Sequence, residues 1–205
     1  MTNNKWTTLP DRSLIEKTMK ALEANGIKAS FVQSSTEAKE KVLNMIPQGA
    51  EVMTMTSVTA DTIGITQEIM ESGKYEAVKK KLATLDEKQA SQKKKLGAGP
   101  DWAIGSVHAV TENGNVMIAS NTGSQLPAYA YGAQHVIWVV GAQKIVADIQ
   151  EGVKRIYDHV LPLEADRARK AYGVAGSNVS KLLIINKEVD PTRLHLIFVN
   201  EALGF

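Results

Sequence analysis

The sequence contains no cysteine among its 205 residues. This absence excludes disulfide bonds, and it excludes any iron–sulfur cluster or zinc ion held by thiolates of this chain. A chain without cysteine also fits a reducing compartment, and we expect a cytoplasmic protein. No stretch approaches the roughly 20 consecutive apolar residues that a membrane helix needs. The opening residues, MTNNKWTTLPDRS, do not resemble a signal peptide, so we expect a soluble protein without membrane insertion.

Several common catalytic motifs are also missing. The sequence has no GxSxG, no GxGxxG and no GxxxxGK[ST] motif. It therefore predicts neither the nucleophile elbow of an α/β-hydrolase, nor a classical dinucleotide-binding site, nor a P-loop. The formal net charge of +2 predicts no strong attraction to nucleic acid. The histidines lack metal-ligand spacing from one another, and we predict no metal ion and no cofactor; they are His108, His135, His159 and His195.

What is present fits one globular α/β domain, with 43% hydrophobic and 22% charged residues. We predict a single domain over residues 1–205, with residues 1–26 as an N-terminal helical extension. Apolar spacing and turn residues predict a helix over Asp11 to Asn25, a strand over Ile27 to Val32, a helix to about Ile46 and a strand over Glu51 to Thr56. This alternation is typical of a parallel sheet between two helical layers, a three-layer α/β/α fold.

The rest of the chain adds two predictions about fold. Tyr75 to Leu96 carries two runs of three lysines on a helical apolar spacing, which we interpret as the solvated face of an amphipathic helix. A nucleic-acid site is the alternative, but few aromatic residues are interleaved with the lysines. Near the end, a helix stops before Pro162 and another covers Glu164 to Tyr172. The strands Lys181 to Ile185 and Leu194 to Val199 have too short a connection for a crossover helix, so we expect them to pair antiparallel in a mostly parallel, mixed sheet.

The central stretch supplies the candidate catalytic residue. The apolar-rich runs Ile104 to Thr111 and Val116 to Ala119 flank Glu112-Asn113-Gly114-Asn115, and Asn-Gly between two such runs predicts a hairpin. Glu112 therefore lies beside a tight turn at a strand end, where a carboxylate can act as nucleophile or general base. The alternative is a solvent-exposed acid without a chemical role.

Further candidates are small polar residues and a lysine after predicted strands. A polar loop leads into a short helix from about Gln125 to Tyr131, and such a loop can present backbone amides to an anion. Lys144 follows the buried-type strand Val136 to Val140 and can hold a phosphate or carboxylate. Hydroxyls after the second strand can bind a ligand or cap a helix. The candidate ligand-binding residues are Ser57, Thr59, Ser120, Asn121, Thr122, Gly123, Ser124, Gln125 and Lys144. Arg155, four residues after Glu151, is predicted to form a helix-surface ion pair.

The motifs GSVHAVTENGNV, NTGSQ, VIWVVGAQKIV and RIYDHVLP, with the ending IFVNEALGF, resemble the LUD-domain family, the lactate-utilisation group related to lactate utilisation protein C. The resemblance implies a fold similar to that of ribose-5-phosphate isomerase, glucosamine-6-phosphate deaminase and the CoA transferases, with ligands at strand ends. Thr111-Glu112-Asn113-Gly114 is also similar to the Ser-Glu-Asn-Gly signature of CoA transferases, whose glutamate forms the acyl intermediate.

Three functional hypotheses follow. The first is an accessory component of L-lactate oxidation to pyruvate, which binds a small carboxylate or phosphate and works beside separate iron–sulfur proteins. The second is a free-standing enzyme on the same fold that acts on a sugar phosphate or acyl-CoA, with Glu112 as base or nucleophile. An RNA-binding or scaffold protein that uses the lysine-rich helix ranks last, and we expect no nucleic-acid partner. Whether the chain is catalytic is left open, and so is a homo-oligomeric state.

Overall fold

The computed structural model describes residues 5–205, so the first four residues of the predicted N-terminal extension lie outside the described part. The strands are β1 (Lys28–Val32), β2 (Glu51–Thr54), β3 (Glu76–Ala77), β4 (Trp102–Gly105), β5 (Ala109–Thr111), β6 (Val116–Ser120), β7 (His135–Gly141), β8 (Ile145–Val146), β9 (Lys181–Ile185) and β10 (Leu194–Val199). The α-helices are α1 (Arg12–Ala24), α2 (Ser35–Met45), α3 (Val58–Thr62), α4 (Ile65–Glu71), α5 (Val78–Ala83), α6 (Ala90–Ala98), α7 (Ile149–Arg155) and α8 (Leu161–Tyr172). Short 3-10 turns cover Glu87–Gln89 and Ala142–Lys144, and π turns cover Ala128–Gly132 and Ile156–Val160.

Six strands form one parallel sheet in the order β1-β10-β7-β4-β2-β3. Its strand β7 is buried on both faces, because alternate side chains belong to different cores. Trp138 and Val140 pack into one apolar cluster, and Ile137 and Val139 pack into the other. Helices cover both faces of this sheet, which confirms the predicted three-layer α/β/α fold.

Helix α1 contributes its apolar face to one of these cores. Ile15 and Leu22 are fully buried in the cluster that contains Trp138. The helix also holds the turn after β5, where the side-chain amide of Asn25 donates to the backbone oxygen of Asn113 at 2.9 Å. The N-terminal helix is thus packed into the body of the protein.

A second, mixed sheet has the order β8-β5-β6-β9. Strands β5 and β6 form the predicted antiparallel hairpin, and Gly114 takes a positive φ of 80° in its turn. The run from Ile104 to Thr111 is nevertheless two strands, because β4 belongs to the parallel sheet and β5 to the mixed one. The chain leaves the first sheet at Gly105, where a Cβ atom would lie 2.0 Å from the Tyr129 hydroxyl. Ser106 to His108 then cross from one sheet to the other.

The predicted antiparallel pairing of the last two strands is wrong. Strand β9 pairs antiparallel with β6, whereas β10 lies parallel between β1 and β7. A short connection suffices because the two strands belong to different sheets, so the chain needs no crossover helix between them. The central position of β10 also buries its alternate residues Leu196 and Phe198 completely.

Two predicted helices have different bounds. The lysine-rich segment forms two separate helices, α5 and α6, because Asp86 caps a short 3-10 turn between them. Helix α6 buries no residue, so its lysines are solvated as predicted. Pro162 does not end a helix: α7, the π turn and α8 run without interruption from Ile149 to Tyr172, which we call the long helix. Pro162 is separated from the π turn only by Leu161, and its missing N–H is tolerated because the regular bonding pattern is already interrupted at that turn.

Candidate functional site

A cavity of about 390 Å³ lies beyond the carboxyl ends of β2, β4 and β7, three neighbouring strands of the parallel sheet. Open α/β sheets bind ligands at this edge. The long helix forms one wall with Ile156, Val160 and Glu164. The crossing segment Ser106 to His108 forms another wall, and the loop after β6 a third.

Most of the predicted ligand-binding residues meet here. Those that line the cavity are Ser57, Thr59, Ser120, Asn121, Thr122, Ser124, Gln125 and Lys144. Gly123 belongs to the same loop but is not part of the cavity wall, and it lies against the Lys181 side chain. Ser57 caps α3 as one of its two predicted roles, because its hydroxyl accepts a hydrogen bond from Ala60 N, and its ligand-binding role stays a prediction.

The loop after β6 presents side chains to the cavity, because two of its backbone amides are already bonded. Ser120 Oγ accepts from Gly123 N at 2.9 Å, and Thr122 Oγ1 accepts from Ser124 N at 3.3 Å. Gly123 permits this tight loop with a φ of 85°. The loop therefore brings hydroxyl and amide side chains to a ligand.

Lys144 is almost completely buried, with 1% of the residue exposed. Its Nζ atom donates to Ser106 Oγ and to Val107 O, both at 3.1 Å, and to Thr59 Oγ1 at 3.4 Å. All three partners are uncharged. Burial, together with the nearby charge of Arg155, holds the pKa of Lys144 well below its usual value.

Arg155 is a second buried basic residue, whereas its spacing in the sequence predicts an ion pair on a helix surface. The predicted pair with Glu151 is wrong: the Glu151 carboxylate accepts from Ala147 N at 2.8 Å and from Lys5 Nζ at 2.9 Å. Arg155 is completely buried and donates through Nη1 to His108 O, while its Nε and Nη2 atoms have no hydrogen-bond partner among residues 5–205. Burial lowers the pKa of Arg155 to about 10, so the guanidinium stays charged at neutral pH. Gly152, three residues before Arg155 on the same helix face, is also buried, but a glycine has no apolar side chain that could signal this burial in the sequence.

His108 lies on the cavity wall, near Lys144 and Arg155. Its Nδ1 atom accepts from Ala119 N at 3.0 Å, so the ring hydrogen resides on Nε2. Burial lowers the pKa of His108 to about 3, and the charges of Lys144 and Arg155 act in the same direction. The imidazole is therefore a neutral hydrogen-bond donor at physiological pH.

The cavity has one lining carboxylate side chain among the described residues, and it is already paired. Glu164 accepts two hydrogen bonds of 2.7 Å from Arg167, whose guanidinium lies 5.3 Å from the centre of the Tyr172 ring. Paired in this way, Glu164 is satisfied without Lys144 or Arg155. No group of three or more His, Cys, Asp or Glu within residues 5–205 could hold a metal ion.

Glu112, the predicted catalytic residue, is not brought together with the others. It does not line the cavity, and its carboxylate accepts from Lys17 Nζ of α1 at 2.7 Å, with 27% of its side chain exposed. Its position beside the hairpin turn is as predicted. The expected convergence of Glu112 with Lys144 on one cavity is absent, because β5 runs parallel to β8, the strand that follows Lys144, and carries the chain away from the cavity to Glu112, beside Val146.

The last residues of the described chain complete the site, a contribution that the sequence alone did not indicate. Leu203 O accepts from Gln143 Nε2 at 3.0 Å and from Thr59 Oγ1 at 3.4 Å. Gly204 has a φ of 59°, and a Cβ atom there would lie 2.4 Å from Thr59 Oγ1. Phe205 lines the cavity.

Residues 15–199 match the sequence profile of the LUD domain. The chain belongs to the LUD domain family. The family is associated with lactate utilisation.

A crystal structure of a DUF162 (LUD-domain) family protein from Deinococcus radiodurans superimposes with a TM-score of 0.60 at 13% sequence identity, and the match covers 94% of this chain and 100% of that one. At this identity the likeness concerns the fold. A comparison with curated protein sequences found no match. Within the described residues, no helix of this LUD-domain protein is long and apolar enough to cross a membrane.

Proposed function

We propose that this LUD-domain protein binds a small carboxylate or phosphate anion in the cavity, as an accessory component of L-lactate oxidation to pyruvate in the cytoplasm. One observation carries the proposal. Lys144 and Arg155 are both buried beside the cavity, and neither is paired with a carboxylate in the described part of the chain.

A buried basic group without a counter-ion costs free energy, because water no longer solvates its charge. Arg155 bears this cost, because two of its guanidinium nitrogens have no hydrogen-bond partner among the described residues. An anion in the cavity would offset the cost through its attraction to the guanidinium.

The polar lining suits a small organic acid. A cavity of about 390 Å³ is within the range of roughly 300–1,000 Å³ of small-molecule sites. Hydroxyls of Ser57, Ser106 and Ser120 and the Nε2–H of His108 supply donors for carboxylate and hydroxyl oxygens. These donors are uncharged, so they add orientation to the charge of Arg155.

The lactate assignment rests on membership of the family. Oxidation of a 2-hydroxy acid releases two electrons, and a chain without cysteine supplies no thiolate-held cluster to accept them. In the proposal, separate iron–sulfur proteins carry out this electron transport. The alternative of a free-standing enzyme that uses Glu112 receives no support from the position of that residue outside the cavity.

Calorimetric titration of the full chain with L-lactate, with pyruvate and with inorganic phosphate tests the binding role. We expect saturable binding of at least one of these anions, and a loss of at least about tenfold in affinity in Lys144→Met. Lys154→Met is the matched control, because it removes an exposed lysine from the long helix, and it should bind as the unmodified protein does. Absence of binding, or equal affinity in both variants, would refute the proposal.

The accessory role needs a separate experiment. We expect the protein to form a complex with iron–sulfur proteins of lactate oxidation from the same organism, and to raise their lactate-dependent reduction of an electron acceptor. Lys144→Met should form the complex without raising the rate. A rate that does not depend on this chain would contradict the accessory role, even if the anion binds.

A further inference from the structure

Lys144 differs from the other lysines of the described chain in its surroundings. Its amine lies at the cavity, fully enclosed, and contacts the hydroxyls of Ser106 and Thr59 and one backbone oxygen. Lysines that only stabilise a fold are commonly exposed or paired with carboxylates, as Lys17 and Lys81 are here. The described structure offers Lys144 no such pairing.

Burial of this amine favours its unprotonated form, which is the nucleophile. Enclosure disfavours the ammonium form, and the charge of Arg155 disfavours it further, so the pKa of Lys144 is lowered. An unprotonated lysine has a lone pair that attacks carbonyl carbon. Its two hydroxyl neighbours can donate as well as accept, so they satisfy the amine in either protonation state.

We propose that Lys144 forms a reversible imine with the carbonyl carbon of a 2-oxo acid bound in the cavity. The inference rests on the proposed function, because Arg155 attracts the carboxylate that brings the neighbouring carbonyl to the amine. It extends that function by giving the site a covalent step and a substrate class, the 2-oxo acids, of which pyruvate is the smallest probe.

The step balances without an oxidant or a reductant. The Nζ lone pair forms the N–C bond while the carbonyl π electrons move to oxygen, which gives a carbinolamine. The two amine hydrogens end on that oxygen, which leaves as water when the N=C double bond forms. Ser106 Oγ, 3.1 Å from Nζ, and Thr59 Oγ1, 3.4 Å from Nζ, are placed to pass these protons.

Enclosure of the amine also protects the product. Hydrolysis of an imine requires water at the same carbon, and the apolar residues Ile156, Val160 and Phe205 line the cavity beside the polar groups. The arrangement favours a long-lived adduct with one lysine over transient adducts with exposed ones.

Reductive trapping tests the inference. The full chain is incubated at neutral pH with pyruvate and cyanoborohydride, and the product is examined by intact mass and peptide mapping. We expect one pyruvyl adduct, on Lys144, formed at least about tenfold faster than on any exposed lysine, because a lowered pKa leaves a larger fraction of the amine unprotonated at neutral pH. Lys144→Arg should lose this adduct, and Lys154→Met should retain it. Acetone, which has a carbonyl but no carboxylate, should label Lys144 more slowly.

Two results would overturn the inference: no adduct on Lys144, or labelling of Lys144 at the same rate as the exposed lysines. Titration with L-lactate, which has no ketone carbonyl to trap, distinguishes failure of the imine from failure of anion binding in the cavity. If L-lactate binds and pyruvate is not trapped, the imine is refuted and the anion site stands. If pyruvate is neither bound nor trapped and L-lactate does not bind, both proposals fail.

Discussion

Lys144 and Arg155 donate hydrogen bonds to successive backbone oxygens, those of Val107 and His108, in the segment that crosses between the two sheets. One side chain comes from the end of β7 and the other from the long helix. Together they hold the crossing segment at two adjacent residues.

Arg155→Met should raise the free energy of unfolding at neutral pH. Replacement of a buried ionic group by an apolar side chain of similar volume stabilises by roughly 1–4 kcal/mol in known cases. The variant leaves His108 O without a partner, which costs about 1–3 kcal/mol, but it removes a buried charge and two unbonded nitrogens. Urea denaturation measures the difference, with Lys154→Met as a control that should change little. A clear loss of stability in Arg155→Met would show that the guanidinium is satisfied without a ligand.

His108→Asn should reduce the fall in the free energy of unfolding as the pH drops below about 6.5. The pKa of His108 is about 3 in the fold and about 6.5 in the unfolded chain. Between these pH values the unfolded state binds a proton that the folded state does not, so stability is full above pH 6.5 and falls as the pH drops. The slope from this group is at most about 1.4 kcal/mol per pH unit. Asparagine keeps an acceptor for Ala119 N without titrating, so denaturation at a series of pH values should give a shallower slope. An unchanged slope would contradict the neutral, buried imidazole.

Gly204→Ala should weaken both the fold and anion binding. Its positive φ disfavours alanine by roughly 1–2 kcal/mol, and the new Cβ would clash with Thr59 Oγ1 beside Lys144. Gly73→Ala is the matched control, because Gly73 has a φ of 72° and no heavy atom within 4 Å of the added carbon. We expect Gly73→Ala to lose stability alone, whereas Gly204→Ala also loses affinity in calorimetry. Equal affinity in the two variants would mean that the last residues are not part of the site.

Glu112→Gln should leave anion binding and pyruvate trapping unchanged. The carboxylate lies outside the cavity, and its pair with Lys17 is largely exposed. Such pairs contribute about 0–1 kcal/mol, so thermal denaturation should shift little. A substantial loss of activity or binding in this variant would restore the hypothesis of a catalytic glutamate on the hairpin.

Local patterns in the sequence predicted much of the parallel sheet. Apolar periodicity located β1, β2 and β7, and turn chemistry located the hairpin at Gly114, because both signals depend on neighbouring residues. The rule that ligands bind at the carboxyl ends of parallel strands led to Ser57 and Lys144 as parts of one site, and the structure places both on one cavity.

The failures concern relationships between distant segments. Nothing local in Ile104 to Thr111 shows that the run divides between two sheets, since both parts are equally apolar. The division of the chain between two sheets also gives β9 a partner other than β10. Arg155 was misassigned because its spacing from Glu151 fits a surface pair, whereas its burial depends on the strands packed beneath the helix.

The π turn at Ile156–Val160 sets the rotation of everything that follows it in the long helix. Each residue of an α-helix advances about 100° around the axis, so the loss of one residue from this turn would swing Glu164 and Arg167 away from the cavity mouth. Arg155, which precedes the turn, would keep its hydrogen bond to His108 O. A change of length within this one turn would therefore alter the cavity wall that follows it without moving the buried guanidinium.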